Sequence, residues 1–383
     1  MLRECENGPE RSYTYQNDCQ GTKRILVHRP LLDQRPHNWN NREIQPSQRK
    51  SGHNGTYPDQ AHSSLTYKTV YCLVWRRQSI VRLERIGFAL RPGVFSPQEI
   101  RETSVALDLS DRVSRIFVPD MRIGYESLEI ASSILAQTKR VHSGSGVIRL
   151  LEHDPQLLTR RVQTLQAISS NRLVLGVGTG SPGPQPGETV SALLQRLDDL
   201  KKAFGGFPQG VKPPEIYVAT LKQGIAKRAA SIADGLLLNF CSPQHASKLV
   251  EAARVERRER IDFACYLKIF YSSQDLESAQ RLMLEEFLNY DSTPQYHEMF
   301  LQDGTAKTIS LFRSNEEWKS GPFEVPKEML RVSLANPQTE ELVQYVKSFR
   351  QVGVTLPVLY PYFPNNEDPR FKAEILKEIV KSL

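Results

Sequence analysis

The chain has 383 residues, of which 39% are hydrophobic and 24% are charged, and its formal net charge is +7. These proportions are typical of a folded protein and exclude a wholly disordered chain, and the longest apolar runs are far too short to cross a bilayer. Residues 1–80 hold 12 Lys and Arg against 7 Asp and Glu, which leaves 38 against 36 beyond them. The later, nearly neutral part therefore predicts neither a nucleic-acid partner nor a membrane partner.

Residues 1–80 differ in composition from the rest of the chain. They are rich in Gln, Asn, Arg, Ser and His, and no window keeps an apolar period of 2 or 3.6. We therefore expect a disordered extension there. The five cysteines of the whole chain form no Cys-x-x-Cys pair and no zinc-type spacing with histidine. This usage predicts neither disulfides nor a metal site and favours a reducing, cytoplasmic location.

Beyond Arg85 short apolar runs alternate with amphipathic helical patterns. Eight runs predict strands, at residues 85–90, 115–118, 141–148, 173–177, 215–220, 235–240, 263–271 and 356–362. Strands that are too apolar to alternate, each followed by a helix, indicate a parallel sheet covered on both faces. Eight such repeats predict an α/β fold, a (β/α)8 TIM barrel over residues 81–383. An open, doubly wound sheet stays the alternative.

Helix starts and one long connection complete this prediction. Ser96-Pro97, Asp154-Pro155 and Ser242-Pro243 each combine an N-cap side chain with a proline at the first helical position. Glu99 adds a capping box to the first of them. Residues 272–354 are too many for one crossover helix and hold helical patterns at residues 276–288, 306–318 and 339–349. They predict a helical insertion between strands 7 and 8 that partly roofs the C-terminal mouth of the barrel.

A glycine-rich segment, Gly176-Val177-Gly178-Thr179-Gly180-Ser181, begins in the fourth predicted strand and continues past its end. Its glycines permit a turn whose N–H groups converge on a phosphate, and its two hydroxyls add donors. It departs from the dinucleotide fingerprint because Ser181 replaces the third glycine, and a turn without a ligand stays the alternative. One strand later, residues 220–224 open a second helix that can offer N–H groups to the same anion.

Three segments carry a resemblance to the bacterial luciferase-like superfamily. They are Ser143-Gly144-Ser145-Gly146-Val147, the glycine-rich segment with the strand before it, and Ala233-Asp234-Gly235 leading to Asn239. The resemblance runs over residues 85–251 and is greatest for the branch that uses the deazaflavin coenzyme F420 and includes methylenetetrahydromethanopterin reductase. Lys222-Gln223-Gly224 departs from the Gly-Pro-Lys that relatives usually carry.

The resemblance implies a TIM-barrel oxidoreductase that binds coenzyme F420, with FMN as the alternative cofactor. Its ring would lie across the barrel mouth against a non-proline cis peptide at Ser145-Gly146-Val147, and its phosphate tail would reach the two glycine-containing loops. The predicted cofactor contacts are Gly146, Val147, Gly178, Thr179, Gly180, Ser181, Thr220, Gly224 and Asn239.

Side chains near predicted strand ends supply the catalytic and substrate candidates. Asp120 follows the second strand, where a carboxylate can act on a proton or simply cap the next helix. Glu152, in the loop after the third strand, is the second catalytic candidate. Arg91 follows the first strand and Tyr360 lies near the end of the last, so both are predicted to contact substrate.

We therefore expect hydride transfer between reduced F420 and a small organic substrate, with a methylenetetrahydromethanopterin-like one-carbon adduct as the specific expectation. One alternative is an FMN-dependent luciferase-like monooxygenase that acts on paired donors with molecular oxygen. A second is a non-catalytic cofactor-binding barrel. The small-molecule substrate is the predicted partner, and a homodimer is compatible with the resemblance.

Overall fold

The computed structural model describes residues 13–17, 23–27, 85–180, 186–256, 261–321 and 324–383. The chain divides into two units, Met1–Arg77 and Gln78–Leu383. In the first unit, Tyr13–Asn17 and Lys23–Val27 pair as antiparallel strands. The disorder expected for the rest of residues 1–80 lies outside the described residues and stays a prediction.

The second unit is a closed barrel of eight parallel strands, which confirms the predicted TIM-barrel class. The strands are β1 (Ile86–Ala89), β2 (Val113–Val118), β3 (His142–Arg149), β4 (Leu173–Gly178), β5 (Glu215–Ala219), β6 (Gly235–Asn239), β7 (Asp262–Phe270) and β8 (Leu356–Tyr362). Each pairs with the next, and β8 closes the ring by pairing with β1. The strands are mostly buried because helices cover them outside and side chains fill the interior.

Helices follow the first six strands in turn. They are α1 (Pro97–Asp108), α2 (Ser127–Gln137), α3 (Pro155–Ile168), α4 (Pro186–Phe204), α5 (Gln223–Ala230) and α6 (Pro243–Glu256). The predicted capping box is present, since Ser96 accepts from the N–H of Glu99 and Glu99 accepts from the N–H of Ser96. Asp154 caps α3 by accepting a hydrogen bond from the N–H of Leu157. These bonds satisfy N–H groups that a helix start leaves free.

The predicted insertion between β7 and β8 is helical. It runs through α7 (Leu276–Asp291), α8 (Pro294–Asp303), α9 (Ala306–Ser314), α10 (Lys327–Leu330) and α11 (Thr339–Gln351), and α12 (Pro369–Ser382) follows β8. α8 was not predicted because only Met299 and Phe300 are buried along it, so its apolar period is weak. α11 packs on β8, α6 and α12, so it is the regular crossover helix. The extra structure is therefore shorter than residues 272–354.

None of the helices that the structure describes is both long and apolar enough to span a membrane.

A charged cluster closes the end of the barrel at which the strands begin. We name Arg115, Tyr217, Glu215, Asp262 and Thr355 the base cluster. Arg115 donates to Glu215 at 3.1 Å and lies 3.7 Å from Asp262. Asp262 also accepts from Tyr217 at 2.7 Å and from Thr355 at 2.5 Å. Burial acts to raise the pKa of Asp262, but these hydrogen bonds and Arg115 outweigh it, so its pKa lies below the ordinary value.

Candidate active site

Two adjoining cavities open where the barrel strands end. The first, here the mouth cavity, has a volume of about 490 Å³, and the second, the side cavity, about 720 Å³. Both are lined by Val147, Gly180, Asn239 and Tyr296, so they meet at these residues. Since the C-terminal ends of barrel strands carry the active sites of TIM-barrel enzymes, these cavities form the candidate active site.

Strand β3 is irregular beside the mouth cavity. The peptide bond between Gly146 and Val147 is cis, as the resemblance implied, and the pairing with β4 shifts register between Ser145 and Ile148. Tyr266 of β7 donates to the carbonyl oxygen of Gly146 at 3.0 Å. A Cβ atom at Gly146 would lie 1.7 Å from the Tyr266 hydroxyl oxygen. Glycine is therefore required here by the close approach of the tyrosine.

A second charged cluster lies at the wall of the mouth cavity. We name Arg91, Lys268, Glu286 and Tyr362 the mouth cluster. Lys268 of β7 is fully buried and donates to Oε1 of Glu286 at 2.5 Å and to the Tyr362 hydroxyl at 2.9 Å. Tyr362 donates to the same Oε1, and Arg91 donates to the Tyr362 hydroxyl at 2.8 Å. The Lys268 ammonium also lies 3.9 Å from the centre of the Tyr290 ring.

The charge state of Glu286 follows from these neighbours. Burial acts to raise its pKa, but the positive charges of Lys268 and Arg91 and the hydrogen bonds outweigh burial. The pKa of Glu286 therefore lies below its ordinary value, and the side chain is an ionised carboxylate at neutral pH.

The two carboxylates predicted to be catalytic lie in different surroundings. Asp120 lines the mouth cavity, and its side chain is only 6% exposed and pairs with Arg149 at 3.0 Å. Arg149 also donates to Glu152 at 2.8 Å, a hydrogen bond that lowers the pKa of Glu152. The Glu152 side chain is 53% exposed and lines neither cavity. Of the two, only Asp120 lines either cavity.

The two predicted loops line the side cavity together. Gly178, Thr179 and Gly180 follow β4, and Thr220 and Gly224 follow β5. Gly180 has φ +74°, and a Cβ atom there would lie 2.7 Å from Cγ of Arg149. Helix α5 begins after Lys222 without a side-chain cap, so no capping side chain occupies its first N–H groups and they can bind an anion.

Two cations of the side cavity suit an anionic ligand. Lys222 pairs with Glu298 of α8 at 2.7 Å, and both side chains are about half exposed. Arg228 of α5 lines the same cavity. The positive end of a helix together with two basic side chains favours a phosphate or carboxylate.

Unpartnered polar atoms mark the junction of the cavities. Asn239 donates from Nδ2 to the Tyr296 hydroxyl at 2.6 Å, while its buried Oδ1 has no partner among the described residues. Oε1 of Gln295, in the wall of the side cavity, is likewise buried and unpartnered within the described part of the chain. Since such atoms are costly without a partner, N–H or O–H groups of a ligand are the expected donors.

The structure places most of the predicted residues in the two cavities. Arg91, Asp120, Gly146, Val147, Gly180, Asn239 and Tyr360 line the mouth cavity, and Gly178, Thr179, Thr220 and Gly224 line the side cavity. Glu152 lines neither, and Ser181 lies outside the described residues. Their roles in binding and catalysis stay predictions. Within the described ranges, no group of three or more His, Cys, Asp or Glu could hold a metal ion.

Sequence analysis missed Arg149, Tyr266, Lys268 and Glu286 as site residues. Lys268 did leave a signal, because a lysine inside an otherwise apolar strand is rarely buried without a partner. Glu286 left none, since it lies on a helix with several other charged residues.

Residues 111–356 of the chain match the family described as luciferase-like monooxygenase. The 5,10-methylenetetrahydromethanopterin reductase of Archaeoglobus fulgidus is 23% identical over 288 residues, which are 66% of this chain and 86% of that protein. The uncharacterized protein YceB of Bacillus subtilis is 25% identical over 187 residues, 40% of this chain, and the match spans only about half of YceB, 55% of its length.

Solved structures share the fold. An F420-dependent secondary alcohol dehydrogenase in complex with an F420-acetone adduct has a TM-score of 0.60 at 15% identity, and the similarity covers 78% of this chain and 98% of that one. The coenzyme F420-dependent tetrahydromethanopterin reductase of Methanopyrus kandleri has a TM-score of 0.59 at 17% identity, with the same coverage of 78% and 98%.

A monooxygenase lies within the same range of similarity. The oxygenating constituent of 3,6-diketocamphane monooxygenase from Pseudomonas putida, in complex with FMN, has a TM-score of 0.53 at 15% identity, and the similarity covers 78% of this chain and 98% of that one. At such identities these structures show the fold alone. The family match extends over more than half of the chain, and the protein therefore belongs to the luciferase-like monooxygenase family of oxidoreductases.

Proposed function

We propose that this protein transfers hydride between the reduced deazaflavin coenzyme F420 and a small organic substrate, with a methylenetetrahydromethanopterin-like one-carbon adduct as the specific candidate. The observation that carries the proposal is the pair of adjoining cavities, one aromatic and charged at the barrel mouth and one basic at a helix start. A flat ring with an anionic tail matches that pair. Family membership and the similarity to a methylenetetrahydromethanopterin reductase support it.

The residues present fit such a ligand. The unpartnered Oδ1 of Asn239 offers an acceptor for a ring N–H at the junction of the cavities. Backbone at Gly146 and Val147 would lie against the ring, and Thr220 and Gly224 would hold the phosphate of the tail. When bound, F420 supplies two-electron hydride transfer at its ring.

The chain itself would orient the reactants and exclude water. Burial raises the pKa of Tyr266, Tyr296 and Tyr360, so all three remain neutral phenols at physiological pH. Their rings give the mouth cavity apolar walls beside its charged groups. Asp120, held by Arg149, stays the predicted catalytic carboxylate, and Arg91 stays the predicted substrate contact.

An FMN-dependent luciferase-like monooxygenase that acts on paired donors with molecular oxygen is the second candidate. Glu298 pairs with Lys222 and so offsets its positive charge. The helix start at Gly224 is then left with a modest positive potential, which is suited to the single phosphate of FMN. Arg228, farther along α5, favours the longer anionic tail of F420.

A spectroscopic experiment separates the candidates. The full chain is incubated with F420 or FMN, unbound ligand is removed, and the absorbance spectrum is recorded before and after chemical reduction. We expect retention of F420 and no consumption of oxygen by the reduced complex. Retention of FMN with oxygen uptake, and no affinity for F420, would contradict the proposal. Bound F420 that exchanges hydride with no candidate substrate would favour the binding-only alternative.

A matched pair of variants tests the side cavity. Gly180→Ala and Gly210→Ala both place a side chain at positive φ, but only Gly180 lies in a cavity and against Arg149. We expect Gly180→Ala to weaken F420 binding about tenfold or more and Gly210→Ala to leave it unchanged. Equal effects of the two substitutions would show that backbone strain, and not the site, controls binding.

A further inference from the structure

The two oxygens of Glu286 are used unequally. Oε1 accepts from Lys268 and from Tyr362 and lies 3.4 Å from Nη1 of Arg91. Oε2 accepts no hydrogen bond from any residue in the described part of the chain, and Glu286 lines the mouth cavity. One oxygen is thus fixed by three donors, whereas the other is left to a ligand.

The surroundings make this free oxygen a fixed, negatively charged acceptor. Groups from four elements face the carboxylate: Arg91 after β1, Lys268 of β7, Tyr360 and Tyr362 of β8, and Tyr296 of α8. Burial raises the pKa of each of these three tyrosines, so their side chains are neutral, and the two cations leave one surplus positive charge beside the carboxylate. That charge keeps the carboxylate ionised, and the three contacts to Oε1 hold it in one orientation.

An ionised acceptor on the wall of the mouth cavity favours a ligand that brings a hydrogen-bond donor. A hydrocarbon would leave the ionised Oε2 without a partner, which is costly, whereas a hydroxyl or amino group would satisfy it, and a carbonyl or imine would bind beside the protonated form. The site therefore discriminates in favour of substrates that carry such a donor.

We propose that Oε2 of Glu286 takes the proton of a substrate hydroxyl or amino group while the adjoining carbon gives up hydride, and returns that proton in the reverse direction. This proposal rests on the proposed function. It assigns Glu286 as a catalytic residue, Lys268 and Tyr362 as positioning residues, and alcohols or amines, with the matching carbonyls or imines, as the substrate class.

The step balances. In the oxidative direction the C–H bond breaks, and the hydrogen leaves with its electron pair to the bound coenzyme. The O–H or N–H bond breaks, its proton bonds to Oε2, and the electron pair left on oxygen or nitrogen forms the second bond of C=O or C=N. The neutral carboxyl group then releases the proton to water at the mouth of the cavity.

The first test uses the full chain loaded with F420, with propan-2-ol, cyclohexanol and cyclohexylamine as probes, and follows reduction of the coenzyme. We expect Glu286→Gln to lower kcat about 100-fold or more while F420 binding is retained. Glu285→Gln is the matched control, since Glu285 is the exposed neighbour on the same helix and should change nothing. Asp120→Asn is measured beside them to separate the two carboxylates of the mouth cavity.

The second test reads the proton on Glu286 directly and needs no turnover. The infrared band of the neutral carboxyl group is isolated as the difference between wild type and Glu286→Gln, from about pH 8 down to about pH 4. We expect the band to appear only below the ordinary glutamate value of 4.5. Tyr362→Phe, which removes the hydroxyl that donates to Glu286 and accepts from Lys268 and Arg91, and Lys268→Met should each move the band and the acidic limb of kcat/KM to higher pH.

Several results would overturn the proposal. In the first test they are a kcat of Glu286→Gln within about threefold of wild type, a loss of reaction in Asp120→Asn alone, or bound F420 that no probe reduces. In the second test it is a kcat/KM that falls by the same factor at every pH in Tyr362→Phe and Lys268→Met. Failure of the wild type to bind F420 would be recognised separately and would overturn the proposed function, and this proposal with it.

Discussion

The base cluster and the mouth cluster place the same chemistry at opposite ends of one barrel. Each joins a buried cation, a tyrosine and a carboxylate whose pKa lies below its ordinary value. In the base cluster both oxygens of Asp262 accept hydrogen bonds, from Thr355 and from Tyr217. In the mouth cluster the described residues donate to only one oxygen of Glu286, and Glu286 lines a cavity.

This difference indicates separate roles for the two ends of the barrel. Strand beginnings hold a cluster whose contacts are internal, and neither cavity is lined by its residues. Strand ends hold a cluster in which Oε2 of Glu286 accepts no hydrogen bond from the described residues. Residues at the base should therefore control stability, whereas residues at the mouth should control binding and chemistry.

The largest effect should come from breaking the base cluster. Arg115→Met would remove the buried cation that Glu215 and the partly buried Asp262 share and leave Asp262 only the more exposed Arg85 at 3.6 Å, so we expect the free energy of unfolding to fall by about 3 kcal/mol. Denaturant unfolding measures this fall. Arg101→Met, on an exposed position of α1, is the control and should stay within about 0.5 kcal/mol. If the Arg115 variant lost F420 affinity while still folded, the division between the two ends would be wrong.

The next effect concerns the floor of the mouth cavity. Gly146→Ala would force its Cβ atom against the Tyr266 hydroxyl, so we expect about 1–3 kcal/mol of destabilisation and weaker cofactor binding. Thermal unfolding and F420 titration measure the two losses. Combining it with Tyr266→Phe removes the clashing oxygen and should recover part of both. A double variant no better than the single one would contradict this account of the glycine.

The free energy of unfolding should fall in acid, because both clusters contain a carboxylate whose pKa is depressed in the folded protein. Because the pKa values of Asp262 and Glu286 are depressed in the folded protein, their stabilisation is present above the ordinary carboxylate pKa and is lost as pH falls through the folded values. Each unit of depression corresponds to about 1.4 kcal/mol. Urea unfolding across acidic pH should give a shallower dependence in Asp262→Asn and in Glu286→Gln. If the free energy of unfolding of either variant changed with pH as steeply as that of wild type, the substituted carboxylate would not be stabilised by its cluster.

The smallest expected effect lies in the side cavity. Lys222→Met should weaken F420 binding at low salt, whereas Glu298→Gln should strengthen it by releasing Lys222 for the ligand. Stability should change by less than about 1 kcal/mol in both, since the pair is half exposed. Lys227→Met breaks another exposed pair, with Glu256, outside the cavity, and should leave binding unchanged. Binding that falls equally in all three variants would point to general charge rather than to Lys222.

Local patterns made much of this architecture predictable. The eight strands, the capping box at Ser96 and the helix start after Lys222 each depend on a few neighbouring residues, and all are present. The convergence of the loops at Gly178 and Gly224 was also predictable, because parallel strands of one barrel end at the same face. The position of Glu152 was not predictable in this way. The 3-10 turn Leu150–Glu152 leaves its side chain exposed beside Arg149 and outside both cavities, and strand order does not indicate such a turn.

By itself, the sequence determined the alternation of strands and helices, the caps, the glycine-rich loops and the membership of a family, since each is written in contiguous residues. Only the tertiary structure decided that Lys268 and Glu286, on a strand and on an insertion helix, share one buried hydrogen bond, and that no described residue donates to the second oxygen of Glu286. The physical reason is that burial and charge pairing depend on which elements pack together, and that packing is absent from any local pattern.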